Sequence, residues 1–196
     1  SLTEQIDAGL RYTILPGVQF VAGVFDIKKP YFELDPSNVF TNVGSLRHRG
    51  IELSLAGEVI DGLSVVAGTV ILQARVSGQL VDQGAIGKVP KGADPRLSRL
   101  NLQYGPESWR GFSVDAQLEN INKGFADQAN LVELPDVTTL DLGARYSFNI
   151  SDVAATLRFR VENVTNTYAW QLQGGNALFF EYIPKRRYSL SLAADF

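Results

Sequence analysis

Apolar and polar side chains alternate with a period of two along most of the chain. From Phe112 to Asn120 the apolar side holds Phe112, Val114, Ala116 and Leu118, and the polar side Ser113, Asp115, Gln117 and Glu119. From Thr139 to Phe148, Leu140, Leu142, Ala144, Tyr146 and Phe148 oppose Thr139, Asp141, Gly143, Arg145 and Ser147. The last stretch sets Tyr188, Leu190, Leu192, Ala194 and Phe196 against Arg187, Ser189, Ser191, Ala193 and Asp195. Successive side chains of a strand point to opposite faces, whereas a helix would scatter these residues around its circumference. Fainter alternation runs through Ile6 to Ile14, Ile51 to Leu55, Arg99 to Tyr104 and Thr156 to Glu162. Val18 to Ile27 and Leu63 to Val76 are apolar on both sides, so their parity stays open. The pattern predicts an all-β chain of about nine strands.

The connections alternate too. Leu15-Pro16-Gly17, Ile60-Asp61-Gly62, the stretch Gly105 to Gly111 and Asn149 to Val153 have the residues of short turns. Between them lie long polar segments, Lys28 to Leu46, Ser77 to Ser98, Ile121 to Val137 and Asn163 to Lys185. Compact domains rarely carry several structureless loops beyond about 12–15 residues. An antiparallel up-and-down sheet with short turns at one end and long loops at the other produces this rhythm. Transmembrane β-barrels have that asymmetry.

Which face meets lipid is the deciding question. A soluble β-sandwich, the alternative fold, would bury the apolar faces against each other. A barrel turns them outward and keeps a polar lumen. The polar parity collects Arg11, Glu52, Asp115, Glu119, Asp141, Arg145, Arg158, Arg160 and Glu162, costly in a packed core and ordinary in a hydrated lumen. Tyr12, Phe20, Tyr104, Trp109, Phe112, Tyr146, Phe148 and Phe196 gather beside the short turns, as an interfacial girdle does. An alternating last strand ending in Phe196 resembles the terminal signature that outer-membrane assembly machinery reads.

Composition trims the function classes. A net charge of -3 argues against a nucleic-acid partner. With no cysteine, thiol catalysis and cysteine-ligated metals are excluded, and His48, the single histidine, supports neither a catalytic triad nor a multi-histidine metal site. The run Gly84-Ala85-Ile86-Gly87-Lys88 lacks the spacing of a phosphate loop, and no Gly-x-Ser-x-Gly motif occurs. Asn149-Ile150-Ser151 and Asn163-Val164-Thr165 fit the glycosylation pattern, which would mean little in a bacterial protein. The chain reads as a non-enzyme.

Five stretches carry a family resemblance: Phe25-Asp26-Ile27-Lys28-Lys29-Pro30, Arg47-His48-Arg49-Gly50-Ile51-Glu52-Leu53, Leu140-Asp141-Leu142-Gly143-Ala144-Arg145-Tyr146, Val161-Glu162-Asn163-Val164-Thr165-Asn166-Thr167-Tyr168, and the terminal strand. In that order, over essentially the whole chain, they resemble the C-terminal part of a TonB-dependent outer-membrane siderophore receptor. The resemblance implies an antiparallel transmembrane β-barrel of about 22 strands around a plug. Residues 1–196 would then be about the last nine strands, with plug, TonB box and signal sequence outside the sequence. It further implies uptake of a ferric siderophore, energised by the TonB-ExbB-ExbD complex acting on the plug, in the bacterial outer membrane. No protein cofactor is implied, since the chelator supplies the ligands to iron. A passive porin is a second reading. A piece cut from such a barrel leaves unpaired edges, so in isolation it is expected to pair with other copies or aggregate.

Within that frame Tyr168, Trp170, Phe179, Phe180 and Tyr182, in the last long segment, are candidate ligand contacts through ring stacking, as are Tyr31 and Phe32 in the first. The competing reading is an external aromatic girdle. Arg47 and Arg49 share the apolar parity just beyond the apolar band and are candidate contacts for lipopolysaccharide phosphates, against a reading as solvated loop residues shifted by a bulge. Arg145, Arg158 and Arg160 read as plug or ligand contacts, or as cross-strand ion pairs with Asp141 and Glu162.

Overall fold

The computed structural model describes residues 2–172 and 179–195. In chain order the elements are β1 (Glu4–Leu15), β2 (Val18–Leu34), β3 (Phe40–Ile60), β4 (Leu63–Ser77), a helical turn α1 (Gln79–Asp82), β5 (Arg96–Tyr104) and β6 (Phe112–Ile121). There follow the short pair β7 (Gly124–Phe125) and β8 (Glu133–Leu134), then β9 (Val137–Ile150), β10 (Val153–Glu162), the short pair β11 (Trp170–Leu172) and β12 (Phe180–Tyr182), and β13 (Arg187–Asp195). Nine strands make one open sheet in the order β1-β2-β3-β4-β5-β6-β9-β10-β13, and every neighbouring pair is antiparallel. Up-and-down order follows from the tight turns, because a short connection only permits an antiparallel neighbour.

Each short turn is fixed by local chemistry. Gly17 and Gly62 sit at φ 81° and 74°, where a side chain would be strained. The Glu58 carboxylate accepts the Gly62 amide at 2.7 Å. Ser151, at φ 55°, turns the chain between β9 and β10. Tyr104, Trp109 and Phe112 cluster at the β5–β6 turn, with ring centroids 4.8 and 5.6 Å apart, and Tyr146 stacks on Phe148 at 5.4 Å.

The first long segment is not a loop. The ladder of β2 and β3 continues to Leu34 and Phe40, and only Asp35 to Val39 remains as the turn. Its geometry comes from Asp35, whose carboxylate accepts the amides of Ser37 at 2.8 Å and Val39 at 3.0 Å, while Asn38 takes φ 61°. Polar composition hid this extension, because a strand standing in water needs no apolar face to keep its ladder.

The register also settles the two doubtful strands. Gln19, Val21, Gly23, Phe25 and Ile27 lie on the charged face, as do Val66, Gly68, Val70, Leu72 and Ala74. Every one of the nine charged residues grouped by alternation falls on that same face. On the opposite face Ile6, Leu10, Val24, Ile51, Ile71, Leu142, Phe159, Leu190 and Leu192 are all exposed. No second sheet covers them among the described residues. That excludes the sandwich, whose apolar faces must meet. The buried apolar cluster lies instead on the charged side at the loop end, where Val43, Leu46, Ala74, Val76 and Ile86 pack with Leu80 and Val81. Phe196 lies outside the described residues.

A charge on the lipid-facing midplane of such a wall costs roughly 2–4 kcal/mol, and on the lumen side much less. Ile51→Arg in the complete protein, refolded into phospholipid vesicles, is therefore expected to lower unfolding free energy by about that amount, and Ser54→Arg by under about 1 kcal/mol. Equal losses in denaturant titrations would reverse the facing.

Candidate ligand-binding face formed by the long loops

Three long connections leave the same end of the sheet and fold over its charged face. The connection 78–95 begins with α1, whose Leu80 and Val81 cover Val76 and Leu46. Its later residues return along β4, where the Val76 amide donates to the Lys88 carbonyl and the Leu72 amide to the Pro95 carbonyl, both at 2.8 Å. Apolar residues at the outer end of β3 and β4 thus gain a cover.

The connection 122–136 is clamped to the first by Asn130. Its carboxamide donates to the Val89 carbonyl at 2.7 Å and accepts the Val89 amide at 2.9 Å. Asn130 holds φ 61°, a left-handed conformation that asparagine tolerates better than most residues. Two backbone bonds extend the clamp, from the Gly87 amide to the Gln128 carbonyl and from the Gly92 amide to the Phe125 carbonyl, each at 2.8 Å. A Cβ at Gly87 would collide with the Asn130 carboxamide. Asp127 fixes the tip by accepting the amides of Leu131 and Val132 at 2.9 and 2.7 Å.

The connection after β10 is anchored by Asn163, 5% exposed and at φ 50°. Its amide donates to Asp141 at 2.8 Å, and its side chain donates to the carbonyls of Thr167 and Pro184, both at 2.9 Å. The side-chain oxygen accepts the Thr167 amide at 2.9 Å. A buried amide with every group occupied is a structural rivet. Asp141 joins this rivet to the wall, because it also accepts Arg160 at 2.8 Å.

β11 and β12 then present an aromatic face. Trp170 pairs with Tyr182 and Leu172 with Phe180, so these four side chains share one side. On the other side Ala169 and Ile183 are buried against Val137 on the charged face of the sheet. The rings therefore point away from the wall. Tyr168 stacks on Tyr182 at 5.3 Å with the Lys185 ammonium 5.8 Å from its ring, and Trp170 meets Phe180 edge-on at 4.8 Å. Tyr168, Phe179, Phe180 and Tyr182 are each at least 58% exposed.

Below this face a cavity of about 210 Å³ lies between the three connections, lined by Gly92, Asp94, Leu134, Val137 and Trp170. Burial pushes the Asp94 carboxyl above its ordinary value. The space is too small for a chelated iron and reads as a joint between loops.

The remaining candidates separate. Tyr31 packs into the buried cluster under the 78–95 connection. Phe32, on the opposite parity, stacks on Phe40 at 6.2 Å and is exposed. Neither joins the rings of β11 and β12. Arg158 pairs with Asp115 at 3.5 Å, and Arg160 with Asp141. Glu162 binds Arg187 at 2.8 Å, and Arg99 pairs with Glu119. Arg145 stands across from Arg158 and forms no ion pair among the described residues. Arg47 and Arg49 keep the apolar parity, since the only irregularity between β2 and β3 lies beyond them at Tyr31 and Phe32. Both bind Asp26, at 2.6 and 2.9 Å. Among the described residues no three His, Cys, Asp or Glu side chains are grouped to hold a metal ion.

Sequence reasoning missed the Asn130 clamp and the Asn163 rivet. The visible signal for both was an asparagine in a turn-rich segment, ambiguous without its partners.

A family model described as TonB dependent receptor-like, beta-barrel, matches residues 2–164. The chain belongs to this family. It is 28% identical over 174 residues to the ferrichrome receptor FcuA of Yersinia enterocolitica, covering 88% of this chain and 23% of that protein. Over 110 residues it is 29% identical to a ferrioxamine receptor of the same organism, covering 56% of this chain and 15% of the relative. Among solved structures, BauA, the ferric preacinetobactin receptor from Acinetobacter baumannii, superposes with a TM-score of 0.82 at 27% identity, covering 99% of this chain and 29% of that one. The chain thus spans about a quarter of the length of these relatives. Its open sheet is part of an outer-membrane TonB-dependent receptor barrel, with the apolar face toward lipid and the charged face toward the lumen.

Asn130→Ala removes both hydrogen bonds to Val89, worth roughly 1–3 kcal/mol together. In the detergent-solubilised receptor it is expected to speed exchange of the Val89 amide about 5- to 150-fold while β-ladder amides keep their protection. Unchanged exchange at Val89 would mean the connections hold together without the clamp.

Proposed function

We propose that the complete protein imports a ferric siderophore across the outer membrane, driven by the TonB-ExbB-ExbD complex. The observation that carries the reading is the family match along residues 2–164, together with relatives named as ferrichrome and ferrioxamine receptors. The sheet described here is the C-terminal stretch of barrel wall, and the edges of β1 and β13 pair with the rest of the barrel. That pairing is physically required, because unpaired backbone groups in hydrocarbon cost several kcal/mol each. The plug, outside this sequence, transmits the pull of the TonB complex, and β13 is where assembly machinery engages.

The aromatic face of β11 and β12 serves as one wall of the external vestibule. Exposed rings backed by a riveted connection offer flat, pre-ordered surfaces to a planar chelator, which lowers the entropy lost on binding. The ammonium of Lys185 beside Tyr168 suits the negative charge of a ferric catecholate, while the rings alone serve a neutral hydroxamate complex. Iron travels inside its chelator, as cargo, and takes no ligand from the protein.

Stacked aromatic contacts contribute roughly 0.5–1.5 kcal/mol each. Tyr168→Ala with Tyr182→Ala in the complete receptor is accordingly expected to weaken binding of the transported ferric siderophore about tenfold, measured by fluorescence quenching against a panel of ferric hydroxamates and catecholates. If no member of the panel bound and none supported iron-limited growth, the uptake reading would be refuted. Binding unaffected by the double variant would remove only these two residues from the site.

A further inference from the structure

The lipid-facing side of β2, β3 and β4 carries a charged row that uptake does not use. The register sets Lys28, Arg47 and Arg75 side by side across the three strands, with Glu4 of β1 at the end of the row. The next row holds Asp26, Arg49 and Gln73, and the one after it Val24, Ile51 and Ile71. Lys28, Arg47, Arg49 and Arg75 are all exposed, and four cations face only two carboxylates. Asp26 binds Arg47 through both carboxylate oxygens, at 2.7 and 2.6 Å, and Arg49 at 2.9 Å. The carboxylate fixes the two guanidiniums while leaving their remaining N–H groups, and the whole of Lys28 and Arg75, without a partner among the described residues.

Directly beneath the charges lies a groove of about 490 Å³ on the same outward face, lined by Ile6, Ala8, Val24, Ile51 and Ile71 and headed by Arg49. The small side chain of Ala8 between larger neighbours opens the groove. From Phe20 in the lower girdle to Lys28 the strand climbs roughly 20 Å along the membrane normal at ordinary rise and tilt, close to the far boundary of an apolar band about 25 Å tall. A charged head at that height with an apolar furrow below it has the polarity of one lipid molecule.

We infer that this surface binds a phosphorylated glycolipid of the outer leaflet, with a phosphate held by Lys28, Arg47 and Arg75 and an acyl chain laid over Val24, Ile51 and Ile71. Guanidinium and phosphate match in bidentate geometry, and the site is partly dehydrated at the headgroup boundary, where such pairs strengthen. Arg49 reaches the same phosphate from below, and Asp26 is the positioning residue that keeps both arginines extended along the row.

The test uses the complete receptor in detergent, titrated under native mass spectrometry with lipid A carrying two phosphates and with the same lipid after phosphatase treatment. Wild type is expected to prefer the phosphorylated lipid at least fivefold. Arg47→Gln with Arg75→Gln should reduce that preference below twofold, and Arg110→Gln, at the opposite membrane boundary, should leave it intact. Inorganic phosphate at millimolar concentration should not displace the lipid, since it has no acyl chain for the groove; displacement would show an ion site instead and overturn the assignment. Equal binding of both lipids to wild type, or a preference surviving in the double variant, would overturn it as well. Heat-modifiable electrophoretic mobility reports whether each variant is folded, and Lys28→Gln alone, expected to at least halve the preference, stands in should the double variant not fold.

Discussion

Backbone hydrogen bonding in a medium without water is the constraint from which the rest of this structure follows. Hydrocarbon offers no partner to an N–H or a carbonyl, so a spanning sheet must satisfy every one of them strand to strand. The ladder running from β1 to β13 does this for the seven strands between them, leaving only the outer edges of β1 and β13 to be paired by further strands, and it frees the side chains from the task. Apolar residues are then placed for solvation by lipid and charged residues for solvation by lumen water, which is why almost none of the wall is buried. What little core exists forms where the wall leaves the membrane and the connections return to cover it.

The lumen face shows a second level of economy. Its ions pair at two ranges, Arg160 with Asp141 diagonally between the neighbours β10 and β9, and Arg158 of β10 with Asp115 of β6 across the intervening β9, so strands are tied by side chains as well as by backbone. Gly143 is part of that arrangement. It lies opposite Asp115 on the same face, and a Cβ there would occupy the volume of the carboxylate. Asp141 then couples this wall network to Asn163, and through it to the aromatic pair of β11 and β12. Wall and loop are one hydrogen-bonded system.

Much of the wall was legible in the sequence because period-two alternation is a direct image of a two-solvent environment. Leu140 to Phe148 and Tyr188 to Ala194 could only be strands with one oily side. Val18 to Ile27 was not legible, since Val21, Phe25 and Ile27 are apolar residues on the lumen side and erase the alternation. The segment Lys28 to Leu46 misled for the opposite reason: its outward face is wet and its inward face is covered only around Tyr31, Val43 and Leu46, so composition cannot distinguish it from a loop. In the candidate site the rings of Tyr168 and Tyr182 were visible as residues, but their common face depends on pairing across the β11–β12 register. Asn130 and Val89 are far apart in the chain, and no local pattern announces a bond between them.

The reciprocal grip of Asn130 on Val89 has a bearing on how receptors of this kind diversify. Two connections that each belong to a different pair of strands are spliced into a single body. Swapping one of them for a relative's segment would strand a backbone amide and crowd the glycine that admits its neighbour. Loop surfaces built in this way are inherited by the pair, so a new shape for either has to be written in two distant stretches of gene at once.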